Sequence, residues 1–401
     1  MSIKELNANV KELSANDAFK QLEGLFGSDA IFHPRSVENV ETISTGSPSL
    51  DFAVGRGGIP RGRVSQFAGK EASGKTFLAL QCAAQWQAKD PENCFAFLDA
   101  EFTYDPRWAE SFGIDNDRVF LVKNNQAENL FGGLVGKTKI NATTKKETKV
   151  AGLFDMIEQG LIINYPHPDK ESRKTNTLNL AKCGLVIVDS VAAMQPPAER
   201  QSDVGKQNMA LMARFLSVEL RKITPGAAQS NTAVILINQL RVNPGQLFGN
   251  PEDSPGGRAL KHACSLMINF APLGGADNVL TNSNEIRIGH RVRAKVLKNK
   301  VSPPGPRCEF LIEYMKGIAN REEEILEVGD AIGFWERPSA RTYIIDGEKY
   351  SNKADVLAAI KKDLPRFEAE IRDRYINDGL HAAPTGEDIP EGFVPEDPFE
   401  E

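Results

Sequence analysis

The chain has 401 residues, of which 41% are hydrophobic and 25% are charged, so it can build sizeable cores beneath a solvated surface. This composition excludes a wholly disordered chain, and no run approaches the roughly 18 consecutive apolar residues of a membrane helix. The net charge is −6, which taken alone argues against a nucleic-acid partner. However, residues 378–401 contain eight acids and no Lys or Arg, and without them the net charge is +2.

The five cysteines are scattered and form no CxxC pair. This pattern favours buried thiols in a reducing compartment over disulfides or a zinc site. The first residues, MSIKELNANVKEL, are charged from the start and lack the apolar stretch of a secretory signal. We therefore expect a cytoplasmic protein with no membrane partner.

Residues 1–40 are predicted to form an amphipathic helix followed by a linker. Apolar residues between Val10 and Phe26 recur at near-helical spacing, and Gly27 ends the pattern. No strand follows locally for this helix to pack on. It is therefore expected either to dock on another surface or to cap its own domain.

Residues 41–320 alternate short apolar runs with helical runs, which predicts an α/β core with a mostly parallel central sheet. The predicted strands are Arg63–Ala68, Cys94–Asp99, Val119–Val122, Leu185–Asp189, Thr232–Asn238, Cys264–Phe270, Val292–Lys298 and Cys308–Tyr314. The early strands are unbroken apolar runs, as in a parallel sheet that is buried on both faces. Helices are predicted over Thr76–Lys89 and Asn208–Lys222. The later strands are closer together in the chain, which favours an antiparallel extension.

One segment, residues 137–182, interrupts this alternation. It holds nine Lys or Arg residues against five acids, with a threonine- and lysine-rich patch and a predicted helix over Leu153–Ile163. We interpret it as a surface insertion, and contact with nucleic acid is the alternative.

Residues 321–377 are predicted to form a small α+β domain, and residues 378–401 a disordered acidic tail. The predicted elements are a helix at Leu326–Gly329, strands around Phe334 and at Tyr343–Ile345, and helices within Asn352–Ile376. The tail either improves solubility or competes electrostatically with DNA for a basic groove.

The strongest chemical signal is the run GKEASGKT, which fits the pattern GxxxxGK[ST] between a predicted strand and a predicted helix. Backbone N–H groups of such a loop close around phosphates at a helix N-terminus. The run predicts a nucleotide site, with Lys75 on the β- and γ-phosphates and the Thr76 hydroxyl on Mg²⁺. Its residues are Gly69, Lys70, Glu71, Ala72, Ser73, Gly74, Lys75 and Thr76.

Acidic side chains follow two of the predicted strands. The run LVIVDS ends in Asp189, which is expected to hold Mg²⁺ through water, and CFAFLDAE ends in Asp99 and Glu101. Because the carboxyl ends of parallel strands face the nucleotide crevice, Glu101 is the candidate general base for the attacking water. The alternative for such an acid is a helix cap or a salt bridge.

A third strand ends in ILINQLR, where the uncharged amide of Gln239 can sense a γ-phosphate. The following residues, 241–261, are rich in glycine and proline and too poor in apolar residues to fold alone, so we expect them to order on a ligand. Backbone amides at Gly256 and Gly257, with basic side chains such as Arg241 and Arg258, suit a phosphate backbone. An ordinary surface loop is the alternative, although the length of the segment disfavours it.

Several long motifs in a fixed order resemble the RecA family of bacterial homologous recombinases. They are ETISTGSPSLDFAVGRGGIPRGR, GKEASGKT, LDAEFTYDP, LVIVDSVAAM and INQLRVNPGQLFGNPEDSPGGRALK. The resemblance extends from about residue 41 to residue 377, with one gap at the insertion. Together these motifs are far more specific than the phosphate loop alone.

The resemblance implies a role for individual residues. Glu101 activates water, Gln239 senses the γ-phosphate, Lys298 and Lys300 reach the nucleotide of a neighbouring subunit, and Asp105 and Trp108 contact the adenine. The first DNA-binding loop is Arg200 to Met209, with Arg214, Ser217 and Arg221 on the helix after it. The second DNA-binding loop runs from Val242 to Arg258 and includes Pro244, Gly256 and Gly257. The N-terminal helix resembles the polymerisation arm of the family.

The implied function is ATP-dependent recombination, in which the protein forms a filament on single-stranded DNA and exchanges strands with a homologous duplex. Rival hypotheses are a ring helicase or another translocating ATPase, and a regulatory ATP-binding module. The N-terminal arm and the lysine pair favour a filament over a ring, and the intact second loop argues against a regulatory module.

Four departures from the family pattern accompany the resemblance. Lys70 adds a cation beside the phosphates, and His262 and Ala263 replace an aromatic pair. The strand Cys264–Phe270 runs into APLGG, where relatives carry arginines that contact DNA, and the insertion has no counterpart in the bacterial enzymes. They indicate a divergent member, for which chromosomal and phage-encoded origins both fit the sequence.

Overall fold

A computed structural model describes residues 20, 24, 40–140, 147–166, 175–200, 209–242, 252–253, 257–303, 307–339 and 341–377. Most of the predicted N-terminal helix, much of both predicted DNA-binding loops and the acidic tail lie outside the described residues. The chain divides into two units, residues 1–40 and 41–401, and the fold below is that of the second.

The described strands and helices are as follows. The strands are β1 (Thr42–Ile43), β2 (Ile59–Pro60), β3 (Val64–Gly69), β4 (Cys94–Asp99), β5 (Val119–Lys123), β6 (Lys137–Ile140), β7 (Glu147–Val150), β8 (Ile162–Pro166), β9 (Thr175–Asn179), β10 (Cys183–Asp189), β11 (Ala233–Gln239), β12 (Arg241–Val242), β13 (Glu252–Asp253), β14 (Leu266–Pro272), β15 (Val279–Thr281), β16 (Arg287–Asn299), β17 (Cys308–Glu313), β18 (Gly317–Ala319), β19 (Glu336–Ser339), β20 (Thr342–Ile345) and β21 (Glu348–Tyr350). The α-helices are Pro48–Val54, Lys75–Lys89, Pro106–Ser111, Ala127–Val135, Leu153–Glu158, Pro197–Arg200, Met209–Gln229, Gly257–Ala263, Arg321–Ala331, Lys353–Lys362 and Leu364–Asn377.

A ten-stranded sheet dominates the fold. Its order is β18-β17-β16-β14-β3-β11-β10-β4-β5, and β15 pairs with β16 outside this order. The strands from β14 to β5 are parallel neighbours, whereas β14, β16, β17 and β18 are joined by antiparallel pairs. The predicted parallel core and its antiparallel extension are therefore confirmed.

The two faces of this sheet bury separate apolar clusters. Along β4, Phe95 and Phe97 join one cluster, and Ala96 and Leu98 join the other. The helix Lys75–Lys89 covers the first face and Met209–Gln229 covers the second. Since alternate residues point to opposite faces and both faces are covered there, the central strands β4 and β10 are fully buried and apolar up to their final aspartates.

Several predicted elements have different bounds in the structure, and the helix predicted at Leu326–Gly329 extends from Arg321 to Ala331. The helix that begins at Met209 continues past Pro225 to Gln229. The helix Leu153–Glu158 stops before the predicted Ile163, because Gly160 takes a left-handed conformation (φ +64°) and β8 begins at Ile162. The strand predicted around Phe334 begins at Glu336 instead.

The described part of the insertion contains two antiparallel strand pairs, β6–β7 and β8–β9, on either side of the helix Leu153–Glu158. Phe154 and Ile157 of this helix are buried in the second cluster. A Cβ atom at Gly226 would lie 2.7 Å from Cδ2 of Phe154, so the ring packs directly on the backbone of the long helix. The helix between the two strand pairs is therefore anchored in the core.

Residues 321–377 pack around a third apolar cluster, which includes Trp335 and Phe367. Buried Glu324 accepts hydrogen bonds from the hydroxyls of Ser47 and Ser49 (2.7 Å for Ser49). Ser47 is the N-cap of the helix Pro48–Val54, and Ser49 lies in its first turn. Burial raises the pKa of Glu324 to about 7. Within the described part of the chain, no helix is both long and apolar enough to span a bilayer.

Candidate active site

The predicted phosphate loop joins the end of β3 to the helix Lys75–Lys89. A Cβ atom at Gly69 would lie 2.6 Å from Ser73 Oγ, and one at Gly74 would lie 2.6 Å from Ile312 Cδ1. Gly74 also has φ +84°, so both glycines are required by packing or by conformation. Gly74 provides no side-chain cap, which leaves the first N–H groups of the helix available to an anion.

Lys75 is folded back over this loop. Its Nζ donates hydrogen bonds to the carbonyl of Lys70 (2.6 Å) and to Ser73 Oγ (3.3 Å). Burial lowers the pKa of Lys75, while the carboxylates of Asp189, Glu101 and Glu71 oppose this shift. An anionic ligand at the loop would further stabilise the charged ammonium group.

Thr76, in the first turn of the helix Lys75–Lys89, lies beside Asp189 at the end of β10. Thr76 Oγ1 donates a hydrogen bond of 2.7 Å to Asp189 Oδ2. Burial raises the pKa of Asp189 to about 6; the Thr76 hydrogen bond lowers it, and the charges of Glu101 and Asp99 raise it. A hydroxyl and a carboxylate are the hard oxygen ligands that Mg²⁺ prefers, so these two residues fit the ion.

Glu101 forms a hydrogen-bonded cluster with Gln239 and Ser190. Gln239 Nε2 donates to Glu101 Oε1 at 3.2 Å, and the Ser190 hydroxyl donates to the same oxygen. The N–H of Ala100 donates to the carbonyl of Asp189 (2.6 Å), which joins the ends of β4 and β10. Ser190 is not among the predicted site residues, although its position directly after Asp189 was a usable signal.

Asp99 has a different role from its neighbour Glu101. It is fully buried, and its two oxygens accept hydrogen bonds from the backbone N–H groups of Thr103 (3.1 Å) and Tyr104 (3.0 Å). Asp99 therefore has a structural role, because it fixes the backbone of the turn that follows β4.

Asp105 and Trp108, the predicted adenine contacts, lie at the start of one short helix. Asp105 Oδ1 accepts hydrogen bonds from the N–H groups of Arg107 (2.8 Å) and Trp108 (3.4 Å), so Asp105 is the N-cap. Trp108 is half-buried and packs edge-on against Phe112, with ring centroids 5.2 Å apart. The cap thus fixes the backbone that carries Trp108.

Lys298 and Lys300 contact the C-terminal end of the helix Gly257–Ala263. Lys298 Nζ donates to the carbonyl of Lys261, and Lys300 Nζ donates to the carbonyl of His262 at 3.1 Å. Cations are favoured at a helix C-terminus. Burial and the nearby Lys300 lower the pKa of Lys298. Within one chain, the two lysines therefore hold the helix that follows the second predicted DNA-binding loop.

The predicted DNA-binding residues are distributed over four elements. Arg214 and Arg221 are exposed on the helix Met209–Gln229, and Arg221 Nε donates to the carbonyl of Ser217 at 2.9 Å. In the backbone, Arg200 ends the helix Pro197–Arg200, Met209 begins the long helix, Arg241 and Val242 form β12, and Gly257 and Arg258 begin the helix Gly257–Ala263. Pro244 and Gly256 lie outside the described residues.

The base of the second predicted loop is a two-stranded ribbon. Arg241 pairs with Asp253, and Val242 with Glu252, in antiparallel register. This ribbon begins two residues after Gln239, which contacts Glu101. One short segment therefore connects the proposed catalytic carboxylate with the predicted DNA-binding loop.

Comparisons with known proteins find similar sequences along most of the chain. The family model described as RecA N-terminal domain matches residues 13–141 and 160–319. It therefore matches residues 137–141 and 160–182 of the predicted insertion, and the expectation that the whole insertion has no counterpart was wrong. The chain is similar to three proteins named Protein RecA. They come from Streptomyces rimosus (34% identity over 381 residues, covering 94% of this chain and 88% of the relative), Colwellia psychrerythraea (34% over 373 residues, 92% and 94%) and Allochromatium vinosum (33% over 381 residues, 93% and 96%).

Proposed function

The chain belongs to the RecA family, whose members carry out ATP-dependent homologous recombination and strand exchange, and we propose that the carboxyl ends of β3, β4, β10 and β11 form its ATPase centre. The observation that carries this proposal is a pair of hydrogen bonds at the carboxyl ends of these strands, Thr76 to Asp189 and Gln239 to Glu101. Asp189 and Glu101 are joined through the backbone ends of β10 and β4.

The residues at these strand ends have separate roles in ATP hydrolysis. The N–H groups at the start of the helix Lys75–Lys89 and the ammonium group of Lys75 bind the phosphates. Thr76 and Asp189 would hold Mg²⁺, which neutralises charge on the phosphates when it is bound. Glu101 orients the attacking water and accepts its proton, while Ser190 and Gln239 fix the carboxylate that does so.

Gln239 is placed to couple hydrolysis to DNA. Its amide contacts Glu101, and its backbone leads within two residues into the β12–β13 ribbon. Any change in the position of Gln239 is therefore passed to the loop from Val242 to Arg258. That loop and the exposed Arg214 and Arg221 would bind the phosphate backbone, which makes DNA binding tolerant of sequence.

Head-to-tail assembly into a filament is the oligomeric form that we propose. Strand β5 is at the edge of the large sheet, and its Leu121 and Val122 are exposed (38% and 44%). An exposed, apolar edge strand is a template for pairing with a second chain. In the assembled form, Lys298 and Lys300 would leave their helix end and reach the nucleotide of the neighbouring subunit.

Two measurements on the full chain test this function. Phosphate release from ATP should rise when single-stranded DNA is added, and electron microscopy with a slowly hydrolysed ATP analogue should show helical filaments. Closed rings on the same DNA would favour the rival translocating ATPase. ATP turnover that DNA does not change would contradict the proposed coupling.

A further inference from the structure

The hairpin β16–β17 packs against the phosphate loop. A Cβ atom placed on Gly74 would lie 2.6 Å from Ile312 Cδ1 and 3.6 Å from Val292 Cγ2, so both strands touch the loop. His290 precedes Val292 by two residues on β16, and residues two apart share a face of a strand. His290 is accordingly directed toward the loop, and it is 96% buried, with an exposed fraction of only 4%.

The His290 ring connects two parts of this region. Its Nδ1 lies 3.1 Å from the hydroxyl of Tyr314, which follows β17, and the ring centroids are 5.7 Å apart. The backbone of Ala72, in the middle of the phosphate loop, favours the protonated form of the ring and so opposes the fall in its pKa. Burial outweighs this influence and, with the charge of Arg287, lowers the pKa of His290, so the imidazole is neutral at neutral pH.

Lys75 Nζ holds the phosphate loop on either side of Ala72, through the carbonyl of Lys70 and Ser73 Oγ. Gly69 is fixed by β3 and Lys75 by its helix, but Ala72 between them is exposed and has φ +56°, a conformation that alanine rarely adopts. A neutral imidazole offers one donor and one acceptor. If Tyr314 donates its hydroxyl proton to Nδ1, Nε2 carries the remaining proton, and Nε2 is buried without a hydrogen-bond partner among the described residues.

We propose that His290 is a positioning residue that packs against the phosphate loop and connects it to Tyr314. By limiting the conformations that Ala72 can adopt, it keeps the N–H groups of the loop arranged for the triphosphate before ATP arrives. Pre-organisation of this kind improves affinity because less ordering remains to be done on binding. This inference rests on the proposed ATPase function of the same loop.

The test compares His290→Leu, His290→Gln and Tyr314→Phe with the unchanged protein and with Lys295→Gln, an exposed position on the same strand. The readouts are the KM and kcat of DNA-stimulated ATP hydrolysis and the Kd of a fluorescent ATP analogue. Glutamine can place an amide donor near the position of Nε2, whereas leucine has a similar size and no polar atom.

We expect His290→Leu to raise the KM for ATP and the analogue Kd about three- to tenfold, the range for loss of one buried hydrogen bond. The kcat should stay within about twofold, since Glu101 and Gln239 are untouched. His290→Gln should recover most of the affinity, Tyr314→Phe should lose part of it, and Lys295→Gln should match the unchanged protein.

Unchanged KM in His290→Leu, or equal defects in the leucine and glutamine variants, would overturn the proposal. If His290→Leu does not fold, the other two variants decide: unchanged affinity in Tyr314→Phe together with a full defect in His290→Gln would overturn it. No ATP turnover by the unchanged protein would instead contradict the proposed function, so the two failures are distinguishable.

Discussion

In strands β4 and β10, the amino end and the carboxyl end are only a few residues apart in the sequence, but their side chains differ in polarity. At the carboxyl end, Asp189 and Glu101 are held among hydroxyl and amide donors, and burial raises the pKa of Asp189 to about 6. At the amino end, Cys94 and Cys183 are neighbours in the parallel register and are fully buried. Beyond them lies the insertion, whose Phe154 is in the apolar cluster.

This difference explains where the chain could diverge. The carboxyl end depends on oriented polar contacts, which a change of one side chain removes. The amino end depends on burial of apolar surface, which many sequences provide. The family model is accordingly interrupted only between residues 141 and 160, inside the insertion and away from the phosphate loop.

The largest effect is expected from Glu101→Gln at the carboxyl end. The amide keeps the size of the side chain but cannot accept the proton of water, so ATP turnover should fall by at least about 100-fold. Binding of a fluorescent ATP analogue and of single-stranded DNA should be unchanged. Loss of nucleotide binding along with turnover would remove Glu101 from the role of general base.

At the amino end, Phe154→Ala should destabilise the fold without changing the chemistry. Removing a buried ring costs about 3 kcal/mol in the free energy of unfolding, measured by urea denaturation. ATP turnover per folded molecule should stay within about twofold. Leu161→Ala is the matched control, because Leu161 is also in the insertion but is 42% exposed. Equal effects of the two variants would show that the insertion is not anchored through Phe154.

Lys298 and Lys300 test whether the carboxyl end is completed by a second chain. Replacing both with alanine should leave the monomer folded and reduce DNA-stimulated turnover about tenfold or more, because a developing phosphate charge loses two cations. Mixing this variant with Glu101→Gln should restore some turnover at junctions that contain one intact half of each site. No restoration at any mixing ratio would argue against shared sites.

The pH dependence of the Mg²⁺ requirement should identify Asp189 as the group that titrates, since the buried cysteines at the amino ends of β4 and β10 do not bind the ion. Its pKa is raised to about 6, so the carboxyl is protonated below that pH and cannot hold Mg²⁺. The Mg²⁺ concentration for half-maximal turnover should therefore rise about tenfold between pH 7.5 and pH 5. Asp189→Asn should need more Mg²⁺ throughout and lose this dependence. The same profile in both proteins would assign the titration to another group.

The raised pKa of Asp189 also has a consequence for stability in Mg²⁺-free buffer. Its stabilising contribution is fully present below the unfolded pKa and is lost as the pH rises through about 6. The difference in unfolding free energy between Asp189→Asn and the unchanged protein should therefore shift in favour of the variant as the pH increases.

The sequence predicted most of the carboxyl end because its signals are local. The phosphate loop is a contiguous run, and Asp189, Glu101 and Gln239 follow apolar strands whose parallel arrangement brings their ends together. The contact of His290 with Tyr314 was not predictable, since it depends on which strands are neighbours in the antiparallel part of the sheet. The early end of the helix Leu153–Glu158 was missed because apolar spacing continues past Gly160.

The most direct test is an electron cryomicroscopy structure of the full chain with single-stranded DNA, Mg²⁺ and a slowly hydrolysed ATP analogue. We expect the triphosphate on the loop from Gly69 to Thr76, with Mg²⁺ beside Thr76 and Asp189. The γ-phosphate should lie between Glu101 of one subunit and the lysine pair of its neighbour. Nucleotide bound elsewhere, or a γ-phosphate away from Glu101, would contradict the account.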